Sequence, residues 1–387
     1  MSSGVVLASL VIVALGAADR HLRSGLRTPL QLAAFVSILL AAHLALASAF
    51  GRVDIVRGIG SIGMLMLMIV AGHLLSSQLM RASARELRRA SSYCLGVLAA
   101  ISLLGLLGIL QPPFGWEKSA FPFTEPSHLA LAAAPFLVAT SAFSRPLKRA
   151  VWLLTFVVIG VIFQNLTMIV ACALAGLITL RPKHILVLLL LFVPAALLGD
   201  VSYYVTRLDF SDNNQNLSSL VFLQGWQLMH ESLAVTHYIG RGFQQLGQAE
   251  TDAPATQLIY ALIRDSLNLF DGGFNLSKVV SELGAIGIAL ALVFGRIVWS
   301  AIATLRAALI SPRKAAEIPA ARRFAAAIIV GYLIEMLVRG VGYFSPSGLL
   351  LVASLWIWYR TRVIAKAVAC TSPPVVTQPF FAPIATR

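Results

Sequence analysis

Long apolar runs, cut by short breaks of charge, proline or glycine, organise this chain from its first residues to about position 360. Read as helices they predict eleven spans, at roughly 2–18, 29–50, 56–80, 91–111, 127–143, 150–163, 166–180, 184–204, 274–295, 324–338 and 345–360. Several fall short of the ~20 residues that a perpendicular transmembrane helix needs. The stretch from 150 to 180 reads as two helices parted at Gln164-Asn165, because the charges of the flanking loops then alternate in sign. The first run has no small-residue cleavage site after it, so it reads as a span and not as a cleaved leader. Between about 205 and 273 the pattern changes. There LVFLQGWQLMHESLAVTHYIGRGF is amphipathic at helical spacing, which predicts a folded helix pair near the membrane surface.

With 58% hydrophobic and 12% charged residues over 387 positions, a soluble domain is excluded. The fold class is an all-α polytopic membrane protein: one integral domain over 1–370, then a proline-rich tail, TSPPVVTQPFFAPIATR, expected to be disordered. Charge sets the orientation. If the 19–28 loop is cytoplasmic and the spans alternate, the inner side carries 22 of the 30 basic residues and 3 of the 16 acidic ones. The net +14 then splits into +19 inside and −5 outside, so the basic excess is the positive-inside asymmetry and not a nucleic-acid footprint. The N-terminus is expected outside and the C-terminus inside. Cys94, Cys172 and Cys370 avoid the outer loops, which argues against a disulfide, and no spacing suggests a metal site.

The outer side holds the unusual residues. The long loop carries Asp209, Asp212, Glu231, Glu250, Asp252, Asp265 and Asp271, three arginines and no lysine. Arg241 lies between Gly240 and Gly242, and Arg264 precedes Asp265; each either pairs with a nearby carboxylate or clamps an anion, for which a guanidinium fork is suited. In RGVGYFSPSG (339–348), Arg339 stands at a span boundary one turn after Glu335, so an i, i+4 pair competes with a functional role. In FTEPSH, Pro126 marks a first helical turn with Thr124 or Ser127 as cap, and Glu125 and His128 stand beside it. Similar starts recur at Asp271–Ser277 and at Ser345-Pro346-Ser347. Three helix N-termini would then face one compartment, together with Arg241, Arg264 and Arg339, as a receptor for an anionic group. Glu282 is a site candidate or an i, i+4 partner of Lys278; Trp226 and Tyr343 suit sugar stacking or interfacial anchoring. His43 and His73, inside spans, read as packing residues.

FTEPSHLALAAAP, a long outer loop with GRGFQQLG, FNLSKVVSELGAIGIAL and RGVGYFSP, in that order, resemble the O-antigen and exopolysaccharide polymerases (Wzy-type), which are related to the O-antigen ligases. The resemblance covers about 95–360. It implies a GT-C-like helical glycosyltransferase acting at the periplasmic face of the bacterial inner membrane. Its donor and acceptor would be undecaprenyl-diphosphate-linked oligosaccharides, with a flippase and a chain-length regulator as partners and no nucleotide sugar, metal or cofactor. It carries diphosphate binding to Arg241 and Arg339; Arg264 rests on charge alone. Asn275 matches the start of the family's motif, but where the ligases have histidine this chain has Phe274, which favours a polymerase. The expected chemistry is an inverting displacement at the anomeric carbon, with Glu125 and then His128 as the candidate base. A ligase is the rival within the class, and a lipid-linked sugar transporter or flippase outside it.

Overall fold

A computed structural model describes residues 2–19, 25–110, 121–123, 125–180, 205–207 and 215–371. The expected span at 184–204, the proline-rich tail beyond 371, Thr124, Asp209 and Asp212 lie outside the described residues. The described elements are helices: α1 (Ser2–Ala18), α2 (Arg27–Ala47), α3 (Ile55–Arg81), α4 (Ala84–Leu106), α5 (Pro126–Phe143), α6 (Pro146–Ile162), α7 (Leu166–Thr179), α8 (Leu217–Val235), α9 (Pro254–Ile263), α10 (Asn275–Ile310), α11 (Pro312–Glu317), α12 (Ala320–Gly331), α13 (Leu333–Leu337) and α14 (Pro346–Thr371). Ten of the eleven expected spans fall on described residues, and each contains a helix. Five helices, α2, α3, α4, α5 and α10, are long and apolar enough to cross a membrane; α1 and α7 are apolar but shorter.

Local chemistry starts and stops these helices. Asp54 caps α3 by accepting from Arg57 N at 2.9 Å. Ser83 and Glu86 form a reciprocal capping box on α4, at 3.3 and 2.7 Å. The break expected at Gln164-Asn165 is present: Gln164 takes a left-handed φ of 49°, and Asn165 caps α7 by accepting from Met168 N at 3.2 Å. The main core lies where α5, α7 and α12 meet. Ala130, Ala133, Ala134 and Ala139 of α5 and the run Ala325–Val330 of α12 are fully buried, and Gly331 lies so close to Pro135 that a Cβ would come within 2.5 Å of its Cα. Small residues allow this approach, the usual source of attraction between helices when lipid supplies none.

Polar contacts sort into two ends of the bundle. At one end Arg81 meets Asp19 at 3.5 Å, and Arg360 donates to Ser77 at 2.8 Å. At that end too, Arg306 donates to Leu177 O, and Arg322 and Arg323 lie over the rings of Trp358 and Phe143. Buried Arg149 donates to the carbonyls of Ser141, Ser144 and Thr179, which closes the ends of α5 and α7. At the other end the Gln245 amide exchanges two hydrogen bonds with the Asp54 backbone, Asn165 donates to Pro126 O at 2.5 Å, and Gly340 N donates to Gly273 O at 2.8 Å. Every one of these contacts joins segments that the charge pattern places on a common side.

Two expectations need correction, and of the two readings of Glu335 and Arg339 the ion pair falls away. The span read as 274–295 continues to Ile310 and is broken at Gly284 (φ 58°, ψ −130°). The break is filled from the segment after α8: Ala285 N donates to Tyr238 O at 2.7 Å, while Arg241 N and Gly242 N donate to Ser281 O and Glu282 O at 2.9 Å. The amphipathic stretch of the long loop is one helix, α8, followed by this non-helical strap, and α8 packs against both the later α9 and α10. Finally, Glu335 and Arg339 do not pair. The helical run ends at Leu337, and Glu335 instead accepts from Ser345 and Ser347 hydroxyls at 3.0 and 2.6 Å. His43 and His73 are buried packing residues, as expected: His43 bonds Ile239 O at 2.9 Å, and His73 meets Trp356 edge-on.

Two measurements test this arrangement. Cysteines at Arg52 and Arg313, both exposed, should react with an impermeant maleimide from opposite sides of sealed vesicles; labelling from one side would refute the two-ended bundle. Gly284→Ala places a Cβ against Tyr238 O in a backbone region reserved for glycine, so the apparent Tm should fall by an amount reflecting about 1–3 kcal/mol. An unchanged Tm would mean that the break is not built as described.

Candidate functional site

Proline at the first position of α5 removes an N–H that would have no helical partner, and the preceding Glu125 stays extended (φ −130°, ψ 146°). Its carboxylate does not cap the helix. It turns outward and accepts from Arg339 Nη2 at 3.0 Å and from Ser127 Oγ at 3.0 Å. Ser127 therefore supports Glu125 and is not the cap that its position suggested. Phe274 precedes α10 without a side-chain cap; among the described residues only α14 has the expected one, where Ser345 Oγ accepts from Gly348 N at 2.9 Å.

Arg339 is fixed from several directions. Its own N–H closes the end of α13 on Ile334 O at 3.1 Å, and the next residue, Gly340, bonds Gly273 O. Gly340 packs against Asn275, where a Cβ would come within 2.5 Å of the amide oxygen. Beyond it, Glu335 ties α13 to the start of α14 through the two serines. With its amide oxygen turned to the guanidinium, Asn268 accepts from Arg339 Nη2 and Nη1 at 2.8 and 3.3 Å. Arg339 thus lies between a carboxylate and a carboxamide, with side-chain exposure of 13% against 23% for Glu125. Burial alone would raise the Glu125 carboxyl pKa. The charges of Arg339 and His128 and the hydrogen bonds from Ser127 and Arg339 outweigh it and hold the group below its ordinary value.

The pair lines a cavity of about 1050 Å³. Its wall is divided: Glu125, Ser127, Asn165, Arg207, Asn216 and Arg339 supply polarity, while Phe163, Val221, Phe222, Leu267 and Leu337 supply apolar surface. The first turns of α5, α7 and α8 all reach it, through Ser127, Thr167 and Ser218. Each brings the positive end of a helix dipole. Only the α5 start was expected here. The α10 start contributes Gly273 to the wall, and the α14 start, through Pro346 and Ser347, borders a separate apolar cavity of about 190 Å³.

The other sequence candidates are distributed around this centre. His128 lies at the third residue of α5, under the electrostatic influence of Glu125, Arg339 and Asp271. Arg241 is engaged away from the cavity: Nη2 meets Glu231 at 2.8 Å and Nε donates to Ser232 at 2.8 Å, while Thr251 donates to Glu231. Of the two roles open to Arg241, the described structure shows the ion pair. Arg264 is exposed, ending α9 in a left-handed conformation (φ 53°). Asn275 is buried and donates to the Tyr332 hydroxyl at 2.8 Å. Glu282, also buried, meets Lys278 at 3.5 Å and accepts from Gln244 N and Leu246 N at 2.9 and 3.3 Å, so it organises the glycine-rich strap. Tyr343 stacks on Phe243 at 5.3 Å with the Lys278 ammonium over its ring.

Trp226 is 44% exposed and shares an aromatic cluster with Phe222 and Phe274. Phe274 is fully buried and stacked on Phe222 at 5.2 Å, so it contributes packing and no acid–base chemistry. Sequence reasoning missed Asn268, Arg207 and the α7 and α8 starts. Asn268 lies in the segment LIRDSLNLF, but nothing in the spacing links it to position 339.

Glu125→Gln removes the charge while keeping the shape, and near pH 7 it should destabilise the folded chain by about 1–3 kcal/mol. A carboxyl held below its ordinary value of 4.5 contributes fully above that pH, and loses the contribution as pH falls through the lower folded value. Apparent Tm values of wild type and Glu125→Gln should therefore converge in acid; a constant difference across pH would refute the ion pair.

Comparison with protein-family models, curated proteins and solved structures returned no match.

Proposed function

We propose that this chain is a polysaccharide polymerase that joins undecaprenyl-diphosphate-linked oligosaccharides at the periplasmic face of the bacterial inner membrane. The N-terminus lies on the periplasmic side and the C-terminus in the cytoplasm, with eleven spans. The observation that carries the proposal is the Glu125–Arg339 pair on the wall of a 1050 Å³ cavity, at the end of the bundle opposite the arginine-rich loops. An anionic head group suits the guanidinium and the three helix starts, and the apolar half of the wall suits a lipid or the faces of sugar rings.

The reaction displaces a lipid diphosphate from the anomeric carbon of the donor by a hydroxyl of the acceptor. The diphosphate leaves readily, so the protein contributes mainly orientation and stabilisation of the charge growing on the leaving oxygen. In this reading Arg339 supplies that stabilisation, and the Asn268 amide oxygen, which accepts from both its terminal nitrogens, holds its plane. Glu125 and His128 are the nearby acid–base groups. This reading leaves Arg241 and Glu282 as residues that hold the strap against the broken α10.

The α10 break has one feature in common with transporters, which use discontinuous helices to bind cargo at the midplane. Here the freed carbonyls of Ser281 and Glu282 accept from the chain's own backbone, so the break supports the fold.

The test is deletion of the gene followed by complementation and glycan sizing. A null strain should make glycan of a single repeat, wild type should restore the ladder, and Arg339→Ala at equal protein level should lower polymerisation by at least ~10²-fold. Long lipid-linked polymer that fails to reach its final acceptor would identify a ligase instead, and unchanged glycan in the null would sink both.

A further inference from the structure

The same pair raises a difficulty for either of its members acting in the proposed reaction. Arg339 cannot bind a phosphate fully while Glu125 holds Nη2 at 3.0 Å, and a carboxylate held by a guanidinium is a poor base. Both groups nevertheless reach the cavity wall and retain partial exposure, so an entering anion has access to them. Asn268 grips Arg339 independently of Glu125, so the guanidinium keeps its place when the carboxylate leaves. Ser127 stays beside Glu125 and gives the released carboxylate a remaining donor.

Resting on the polymerase reading, we propose that the Glu125–Arg339 pair is a latch opened by the donor: a lipid diphosphate takes Arg339, and the released Glu125 becomes the base for the acceptor hydroxyl. The resting carboxylate occupies the place of the phosphate, so base and clamp keep each other idle until substrate arrives. Loss of the counter-ion and the approach of diphosphate charge both raise the basicity of Glu125 toward the working pH, where a general base is most effective. The charged groups around it are Arg339 on the turn after α13, His128 on α5, Arg207 on the same cavity wall, and Asp271 before α10 acting on His128.

In the step itself the acceptor oxygen forms its bond to the anomeric carbon. The bond from that carbon to the diphosphate oxygen breaks, and its electron pair stays with the diphosphate. The hydroxyl proton passes to a Glu125 oxygen. When the lipid diphosphate departs, Arg339 pairs again with Glu125 and the proton is released to water.

The test needs no polymerisation. The full-length protein in nanodiscs is titrated with farnesyl diphosphate near pH 6 in two buffers of different ionisation enthalpy, which gives the number of protons taken up on binding. Wild type should take up more protons than Glu125→Gln, and Arg339→Ala should bind at least ~10-fold more weakly. Inorganic pyrophosphate distinguishes a head-group effect from a lipid effect; it should give the same excess uptake at lower affinity. Binding with equal proton uptake in wild type and Glu125→Gln overturns the latch and leaves the diphosphate site standing. No binding to wild type overturns both. If Glu125→Gln does not assemble, the binding difference infrared spectrum of wild type carries the test: a gained protonated-carboxyl band supports the latch and an unchanged carboxyl region overturns it.

Discussion

A peptide group that leaves a helix inside a low-dielectric layer has to find its partner within the chain, since an unsatisfied one costs several kcal/mol there. Much of this architecture follows from that constraint. At Gly284 the helical path is interrupted, and the strap after α8 brings Arg241 N, Gly242 N and Tyr238 O to the exposed groups. Gly240 has to be a glycine for this approach, because a Cβ would come within 2.5 Å of Glu282 O at a φ of 95°. At the opposite end, Arg149 closes the ends of two helices by donating to three carbonyls. Buried Glu282 joins the same solution, using its carboxylate to accept from two strap amides.

The strap and the break together position the candidate site. Once α10 is anchored near Glu282, the segment just before it, Asp271 to Phe274, is fixed by Lys278, which donates to Phe270 O and meets Asp271 at 3.4 Å. Gly273 then offers its carbonyl to Gly340, which places the turn bearing Arg339. Buried ionisable groups that look wasteful one at a time therefore hold a single turn in register. Their value is geometric: a guanidinium displaced by about 1 Å would lose much of its effect on a developing charge.

The helical pattern was legible because lipid-facing runs are long and arginine clusters mark one end, and the contacts at both ends respect that division. What remained hidden follows from side chains choosing among partners of equal chemical merit. Glu335 and Arg339 have ideal helical spacing, yet the helix ends at Leu337 and hydroxyls from the next helix reach Glu335 first. Arg241 and Arg339 are both glycine-flanked arginines in outer segments, but Glu231 lies one helical turn from the strap and takes the first. Lys278 and Glu282 met as their i, i+4 spacing allowed, because nothing interrupts α10 before Gly284. The break at Gln164-Asn165 marked the start of α7, whereas the Asn216 cap of α8 went unread, and only tertiary packing brings both starts to Glu125.

Phe274 bears most directly on how the proposed chemistry is divided. A histidine there would place an acid–base group at the start of α10; the phenyl ring instead joins Phe222 and Trp226 in a packed aromatic cluster. Proton transfer then falls to what remains at the cavity wall, and in the described structure that is the carboxylate already held by Arg339. On the proposed mechanism, replacing an independent base with one tied to the anion clamp would make proton acceptance conditional on donor binding. In the proposed polymerase, with two lipid-linked substrates in one cavity, such coupling would impose an order, donor head group before acceptor hydroxyl. An unpaired histidine would leave that order unspecified.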